Sequence, residues 1–279
     1  MTTTGDQLAA ISQTGSTVTF FAATGHELLD VLDVPPQPHE LCFDPDHRLL
    51  YCTSTYRSGY YDANEGRSHE LTVIDVDTHT VVTTLDLRPD HGPHGLALDR
   101  RRCRLYVSVE ATDTEPGGVV ILDTRTHARL GRIPAMAPGP HWLALTPDGR
   151  RGYTTNKEAP FVSVLDLDRG VFIDRIPVPG SEGLALTPDG RHLIVATPKA
   201  DATPGTRPSR PSTSSTPPPT KPCAPCPPRA TSCPSTSPPT ARCSPAPYAR
   251  PPSPASSPST LRKPSPRSAR SRWAASPSP

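Results

Sequence analysis

The chain has 279 residues, of which 34% are hydrophobic, 39 are proline and seven are cysteine, with a formal net charge of +2. That average hides a join near residue 200: residues 201–279 hold 23 prolines, 11 Lys and Arg and one acid, Asp201, which leaves residues 1–200 with 18 basic (29 less 11) and 26 acidic (27 less 1) side chains. An acidic front part argues against nucleic acid as a specific partner, and no apolar run nears the roughly 20 residues that cross a bilayer.

Met1 to Gln13 is polar and has no basic segment leading into an apolar one, so it does not read as a secretory signal. The front part is expected in the cytoplasm, away from membranes. Val18 to Leu32 is a worn first copy of a fifteen-residue unit that recurs without a gap at Leu71–Leu85, Val119–Ile133 and Val162–Ile176. Each copy has two apolar-rich runs on either side of a polar turn, the pattern of a hairpin of half-buried strands. Asp75, Asp123 and Asp166 share one column at the end of the first run. A short carboxylate there can accept bonds from turn amides.

A second unit recurs between these copies. It opens on Pro38-His39-Glu40-Leu41, Pro93-His94-Gly95-Leu96, Pro140-His141-Trp142-Leu143 and Ser181-Glu182-Gly183-Leu184. A turn such as Pro147-Asp148-Gly149 follows: Pro fixes φ, Asp bonds its own backbone and Gly takes a positive φ cheaply. A second strand closes each unit, at Leu50–Thr53, Leu105–Ser108, Gly152–Thr155 and Leu193–Ala196. His39, His94, His141 and Glu182 stand 55, 47 and 41 residues apart. Four strands at such a period are the signature of propeller blades.

The expected fold class is therefore all-β, an incomplete β-propeller of about four blades of four-stranded antiparallel sheet. Full blades are expected at Pro38–Leu87, Pro93–Ile133 and Pro140–Ile176, with partial blades at 8–33 and 182–197. The longest repeat carries an insertion, Arg57 to Ser68, placed as a surface loop. Cys42, Cys52 and Cys103 lie far apart in strand-like contexts and read as buried free thiols.

Tyr153-Thr154-Thr155-Asn156 is one residue from Tyr-Val-Thr-Asn, and Tyr106-Val107-Ser108 is close to it. Together with Pro140-His141-Trp142-Leu143-Ala144-Leu145-Thr146-Pro147-Asp148-Gly149-Arg150, these motifs make residues 8–197 resemble the YVTN-repeat β-propellers, kin of the seven-bladed lactonase-like propellers. Residues 1–200 are expected to form a partial propeller of this type. The resemblance implies a fold more than an activity, since such propellers serve as binding proteins and as enzymes. Lactonase-like propellers hold a divalent cation near the channel with acidic and amide side chains. Glu110, Asp113, Asn156 and Glu158 follow second strands here, but they match no such ligand set and read as exposed loop polarity.

In such blades the inner strand starts at the mouth of the channel. His39, His94, His141 and Glu182 would then bring three imidazoles and a carboxylate together, a donor set that suits a borderline divalent metal such as Zn, Cu or Ni. The alternative is that each His bonds a neighbouring loop carbonyl and recurs because its repeat was copied. Two functions stay open. One is a binding or scaffold module taking a small molecule or a protein at the channel face. The other is a metal-dependent hydrolase of the lactonase-like group. No catalytic residue is assigned, and no phosphate-binding glycine motif points to a nucleotide cofactor.

From Asp201 the period stops, and Leu261 is almost the only aliphatic side chain. Such a composition cannot offset its ordering entropy, so residues 201–279 are expected to be disordered. Cys223, Cys226, Cys233 and Cys243 supply one C-x2-C where a zinc module usually shows two. Taking each codon as the last base of one and the first two of the next turns Ser212–Cys226 into V-D-V-V-D-A-A-T-D-E-A-V-R-T-L. That string falls on the Leu71–Leu85 pattern with Asp in the same column. The tail therefore reads as the same gene out of frame, joined near residues 198–205, and a third reading of the chain is a nonfunctional product.

Overall fold

The computed structural model describes residues 5–59 and 63–198. The readings of residues 201–279 (disorder, cysteine spacing and frame) lie outside the described residues. Every described residue belongs to one compact unit.

Among the described residues, seventeen strands form five antiparallel sheets of an incomplete β-propeller. The first sheet has three strands, β1 (Gln7–Ser12), β2 (Thr17–Ala22) and β3 (Leu28–Asp33). The second has β4 (Pro38–Asp44), β5 (Leu49–Ser58), β6 (Glu65–Asp75) and β7 (Thr80–Asp86). The third has β8 (Pro93–Asp99), β9 (Arg104–Val109), β10 (Gly118–Asp123) and β11 (Arg129–Pro134). The fourth has β12 (Pro140–Leu145), β13 (Arg151–Asn156), β14 (Phe161–Asp166) and β15 (Val171–Pro177). The fifth has only β16 (Leu184–Leu186) and β17 (Leu193–Val195). Three sheets are complete and two are partial. No helix among the described residues is long and apolar enough to cross a membrane.

The fifteen-residue units are hairpins whose ends pair. Val18 faces Leu32, Leu71 faces Leu85, Val119 faces Ile133 and Val162 faces Ile176. All four slip register in the same column, between Phe20 and Phe21, Val73 and Ile74, Ile121 and Leu122, and Val164 and Leu165. One left-handed turn residue absorbs each slip: His26, His79, His127 and Gly170 all have positive φ. The aspartate column works as expected. Asp75 Oδ1 accepts from the amides of Asp77 and Thr78, both at 2.9 Å, and Asp123 and Asp166 repeat the pair.

The sheets stack face to face, with one column of each entering the next. Tyr51, Leu71 and Val73 pack on Leu105, Val107 and Val120 of the third sheet. Tyr106, Val119 and Ile121 pack on Leu143 and Leu165 of the fourth. Tyr153, Val162 and Val164 pack on Leu193 of the fifth. Each such side chain contributes about 1.5–3 kcal/mol through the apolar area it removes from water. Ile194 holds the tyrosine column in the fifth sheet and is 59% exposed.

Two local expectations are corrected. Arg57 to Ser68 is not simply a surface loop: β5 and β6 run into it, and Tyr56 pairs with Arg67 and Ser58 with Glu65. Cys42 and Cys52 are free thiols, but Cys103 is disulfide-bonded. Its context is a turn rather than a strand. With φ 53° it fills the left-handed turn position that Arg48 holds in the second sheet.

Candidate functional site

The site begins with a repeated irregularity. The pairing of β4 with β5, β8 with β9 and β12 with β13 slips between Pro38 and Leu41, Pro93 and Leu96, and Pro140 and Leu143. A bulge re-aims the side chain at its extra residue, and each bulge here begins at the column histidine. The first strands of successive sheets also lie side by side, β4 by β8, β8 by β12 and β12 by β16.

A hydroxyl from the second strand fixes each bulge. Thr53 Oγ1 accepts from the Glu40 amide at 3.1 Å and donates to the His94 carbonyl at 3.0 Å. Ser108 Oγ accepts from the Gly95 amide at 2.8 Å and donates to the His141 carbonyl at 2.5 Å. Thr155 Oγ1 accepts from the Trp142 amide at 3.1 Å and donates to the Glu182 carbonyl at 2.5 Å. Each sheet thereby sets the backbone that carries the next sheet's column residue. Gly95 allows the close approach this needs, since a Cβ there would sit 2.5 Å from the His141 carbonyl oxygen.

Three of the four expected residues meet. The ring centroids of His39 and His94 are 4.8 Å apart, those of His39 and His141 5.4 Å, and those of His94 and His141 4.5 Å. One nitrogen from each lies within 4.8 Å of the others. His94 and His141 are buried and His39 is partly so. Glu182 is not in this group; its carboxylate lies 3.6 Å from Lys157 Nζ.

Glu110 replaces it as the carboxylate of the site. Its Oε1 lies 3.0 Å from His94 Nε2 and accepts from Tyr56 Oη at 2.7 Å, while Arg67 Nε lies 2.8 Å from Oε2. Burial pushes the Glu110 pKa up, but hydrogen bonds from His94 and Tyr56 outweigh it, helped by the charges of His94 and Arg67, and the carboxyl titrates below its ordinary value. Burial pushes His94 down to about 4 against the bond to Glu110. At neutral pH the pair is therefore a carboxylate and a neutral imidazole. A carboxylate only accepts, so Nε2 carries the His94 proton and Nδ1 keeps its lone pair. That Nδ1 is buried and makes no hydrogen bond among the described residues.

Gly92 backs the carboxylate. Its φ of +58° suits glycine, and a Cβ there would come within 2.7 Å of Glu110 Cγ. His39 Nδ1 is also buried and makes no hydrogen bond among the described residues; Glu40 lies 3.6 Å away, too far to make one.

The site opens on a cavity of about 410 Å³ walled by Tyr56, Arg67, His94, Glu110, His141 and Lys157. Cavities of similar or larger size lie elsewhere. One of about 450 Å³ separates the first two sheets behind Ala9, Phe20 and Leu41; one of about 610 Å³ lies among exposed turns around Asp148 and Asp189. Neither gathers buried polar groups from three sheets.

Of the residues read as exposed loop polarity, two are corrected. Glu110 is largely covered by the contacts above. Asn156 ends β13 and is fully buried, its Nδ2 donating to Phe161 O at 2.8 Å and Ser163 Oγ at 2.9 Å. Glu158 lines the cavity, and Asp113 stands in a separate, open hollow with Thr112 and Thr114. Sequence reasoning missed Tyr56 and Arg67, which the insertion hid. It also missed the hydroxyl column, although Thr53, Ser108 and Thr155 stand last in the aligned second strands.

No family model and no curated protein matches the chain. Among solved structures it is similar to hydrazine synthase of Kuenenia stuttgartiensis, at a TM-score of 0.58 and 21% identity over 71% of this chain. The match spans 55% of that chain, little more than half its length. At this identity the likeness bears on the fold alone, and none of that protein's activity transfers with it.

Proposed function

We propose that this propeller is a binding module that takes a small polar molecule in the cavity beside His94 and His141. One observation carries the reading: polar side chains from three successive sheets, buried His94 and His141 among them, converge on one concavity of about 410 Å³. That volume lies in the range of small-molecule sites, and a few placed polar groups in a cleft are what orient a ligand. A protein partner prefers a broader, flatter patch.

The test is a ligand-observed NMR screen of amino acids, short dicarboxylic acids and sugar phosphates against the full chain, Arg67→Ala and Lys157→Ala. Compounds that bind the parent and lose at least about tenfold in affinity (about 1.4 kcal/mol) in either variant support the reading. No binder, or binders indifferent to both changes, counts against it.

The second reading is a metal-assisted hydrolase of the lactonase-like group, favoured by the meeting of His39, His94 and His141. A bound divalent ion supplies Lewis-acid polarisation of a carbonyl and an activated water. Lactone turnover abolished by a chelator would favour this reading over simple binding; turnover indifferent to the chelator, or none, removes it.

A further inference from the structure

We infer that His39, His94 and His141 bind one late first-row divalent ion, Zn(II), Cu(II) or Ni(II), with His94 offering Nδ1 and Glu110 acting as the positioning carboxylate behind it. The inference deepens the reading above, because it rests on this cavity being the functional site. Four observations carry it.

First, three imidazoles from three successive sheets place one nitrogen each within 4.8 Å of one another. Metal–imidazole bonds of about 2.0–2.1 Å require closer approach than that widest separation. Binding would therefore draw the three rings closer together.

Second, the donor set selects the ion. Three imidazoles suit Zn, Cu and Ni, while Ca and Mg take oxygen ligands. Three protein donors leave a tetrahedral ion one further position. His94 and His141 also wall the cavity, so the ion would adjoin the space that a ligand enters.

Third, His94 already has the arrangement of a metal-binding histidine. Its Nε2 is held 3.0 Å from a carboxylate, and its Nδ1 is buried with no hydrogen bond among the described residues. A carboxylate behind a ligating imidazole fixes its tautomer and orientation. A merely copied histidine bonded to a loop carbonyl would not need this.

Fourth, the support behind the site is unusually complete. Tyr56 and Arg67 hold Glu110, Gly92 leaves room for it, and Thr53 and Ser108 fix the carbonyls of His94 and His141.

The test uses full-length protein stripped with a chelator and titrated with Co(II), whose absorption bands report coordination geometry and whose charge-transfer band would mark thiolate ligands. We expect one tetrahedral ion per chain without a thiolate band, displaced stoichiometrically by Zn(II). His94→Gln should weaken binding about 100-fold or more, and Glu110→Gln about 10- to 100-fold. His69→Ala and His192→Ala should leave it unchanged. Absence of a stoichiometric site in the folded parent, a thiolate spectrum, or equal affinity in His94→Gln would each overturn the assignment.

Should His94→Gln fail to fold by circular dichroism, the parent protein still decides. Zn(II) must protect partly exposed His39, but not His69 or His192, from diethylpyrocarbonate; buried His94 and His141 are shielded with or without it. Equal labelling with and without Zn(II) overturns the proposal. Loss of the metal claim alongside compounds that still require Arg67 would leave the cavity reading standing.

Discussion

His94 on β8 and Glu110, the residue just after β9, belong to one sheet and meet at 3.0 Å between Nε2 and Oε1. This contact decides how the site works. It makes His94 a donor on one side and leaves a lone pair on the other. The same oxygen accepts from Tyr56, and its neighbour is held by Arg67, so both come from the extended β5–β6 hairpin one sheet earlier.

Removing the carboxylate should therefore cost stability as well as binding. Glu110→Ala leaves Tyr56 Oη and His94 Nε2 without their acceptor, while Arg67 keeps its bond to the Ala111 carbonyl. We expect a loss of about 2–4 kcal/mol in urea unfolding, since orphaned buried partners cost more than the bond itself. Glu110→Gln keeps an acceptor and should lose less than half of that. Equal losses for the two would show that charge, not hydrogen bonding, is what the site needs.

The hydroxyls of Thr53, Ser108 and Thr155 each join a bulge amide to the next sheet's carbonyl. Thr53→Val and Ser108→Ala should each cost about 1–3 kcal/mol. Thr53→Val with Thr155→Val should add, because the third sheet stands between the sites. Losses under about 0.5 kcal/mol, as at ordinary surface positions, would mean that stacking alone sets the register between sheets.

Asp90 clamps the third sheet from the loop before it. It is 2% exposed and bonds Arg132 Nε at 2.7 Å and Arg129 Nη2 at 2.5 Å. Removing one partner of a buried pair strands the others, so Asp90→Ala should cost about 3 kcal/mol. The fall in melting temperature should exceed that of Asp86→Ala, whose carboxylate pairs with Arg88 in the open.

Strong acid should remove the stabilisation held at the Asp123 turn. Asp123 titrates at about 2, held down by the Arg125 side chain against burial and helped by the Arg125 and Thr126 amides. A carboxyl whose folded value is depressed adds stability that is full above its unfolded value near 4 and is lost as pH falls through about 2. Melting temperature should drop between pH 4 and 2, and Asp123→Asn should flatten part of that drop. A variant with an unchanged acid profile would contradict the assignment.

Much of the fold was legible in the residues. The gapless units at Leu71, Val119 and Val162 carried their own register, because turn length and the Asp column leave one way to pair. The histidine column was legible for the same reason: a bulge copied three times aims three side chains alike. Glu182 did not follow, since its sheet offers the same backbone place but Lys157 captures the carboxylate. Glu110 was misread because nothing local marks it; its burial comes from Tyr56 and Arg67, which reach it only through long-range pairing. Cys103 was misread because a left-handed turn position is invisible when filled by a residue other than glycine.

The most direct check on the three-histidine site is NMR of the full chain with ¹⁵N-labelled histidine, recorded before and after one equivalent of Zn(II). We expect His94 to show the Nε2–H tautomer beforehand. On addition, the ring nitrogens of His39, His94 and His141 should shift together, with His94 moving at Nδ1. Shifts confined to exposed histidines such as His192, or a His94 that carries its proton on Nδ1, would contradict it.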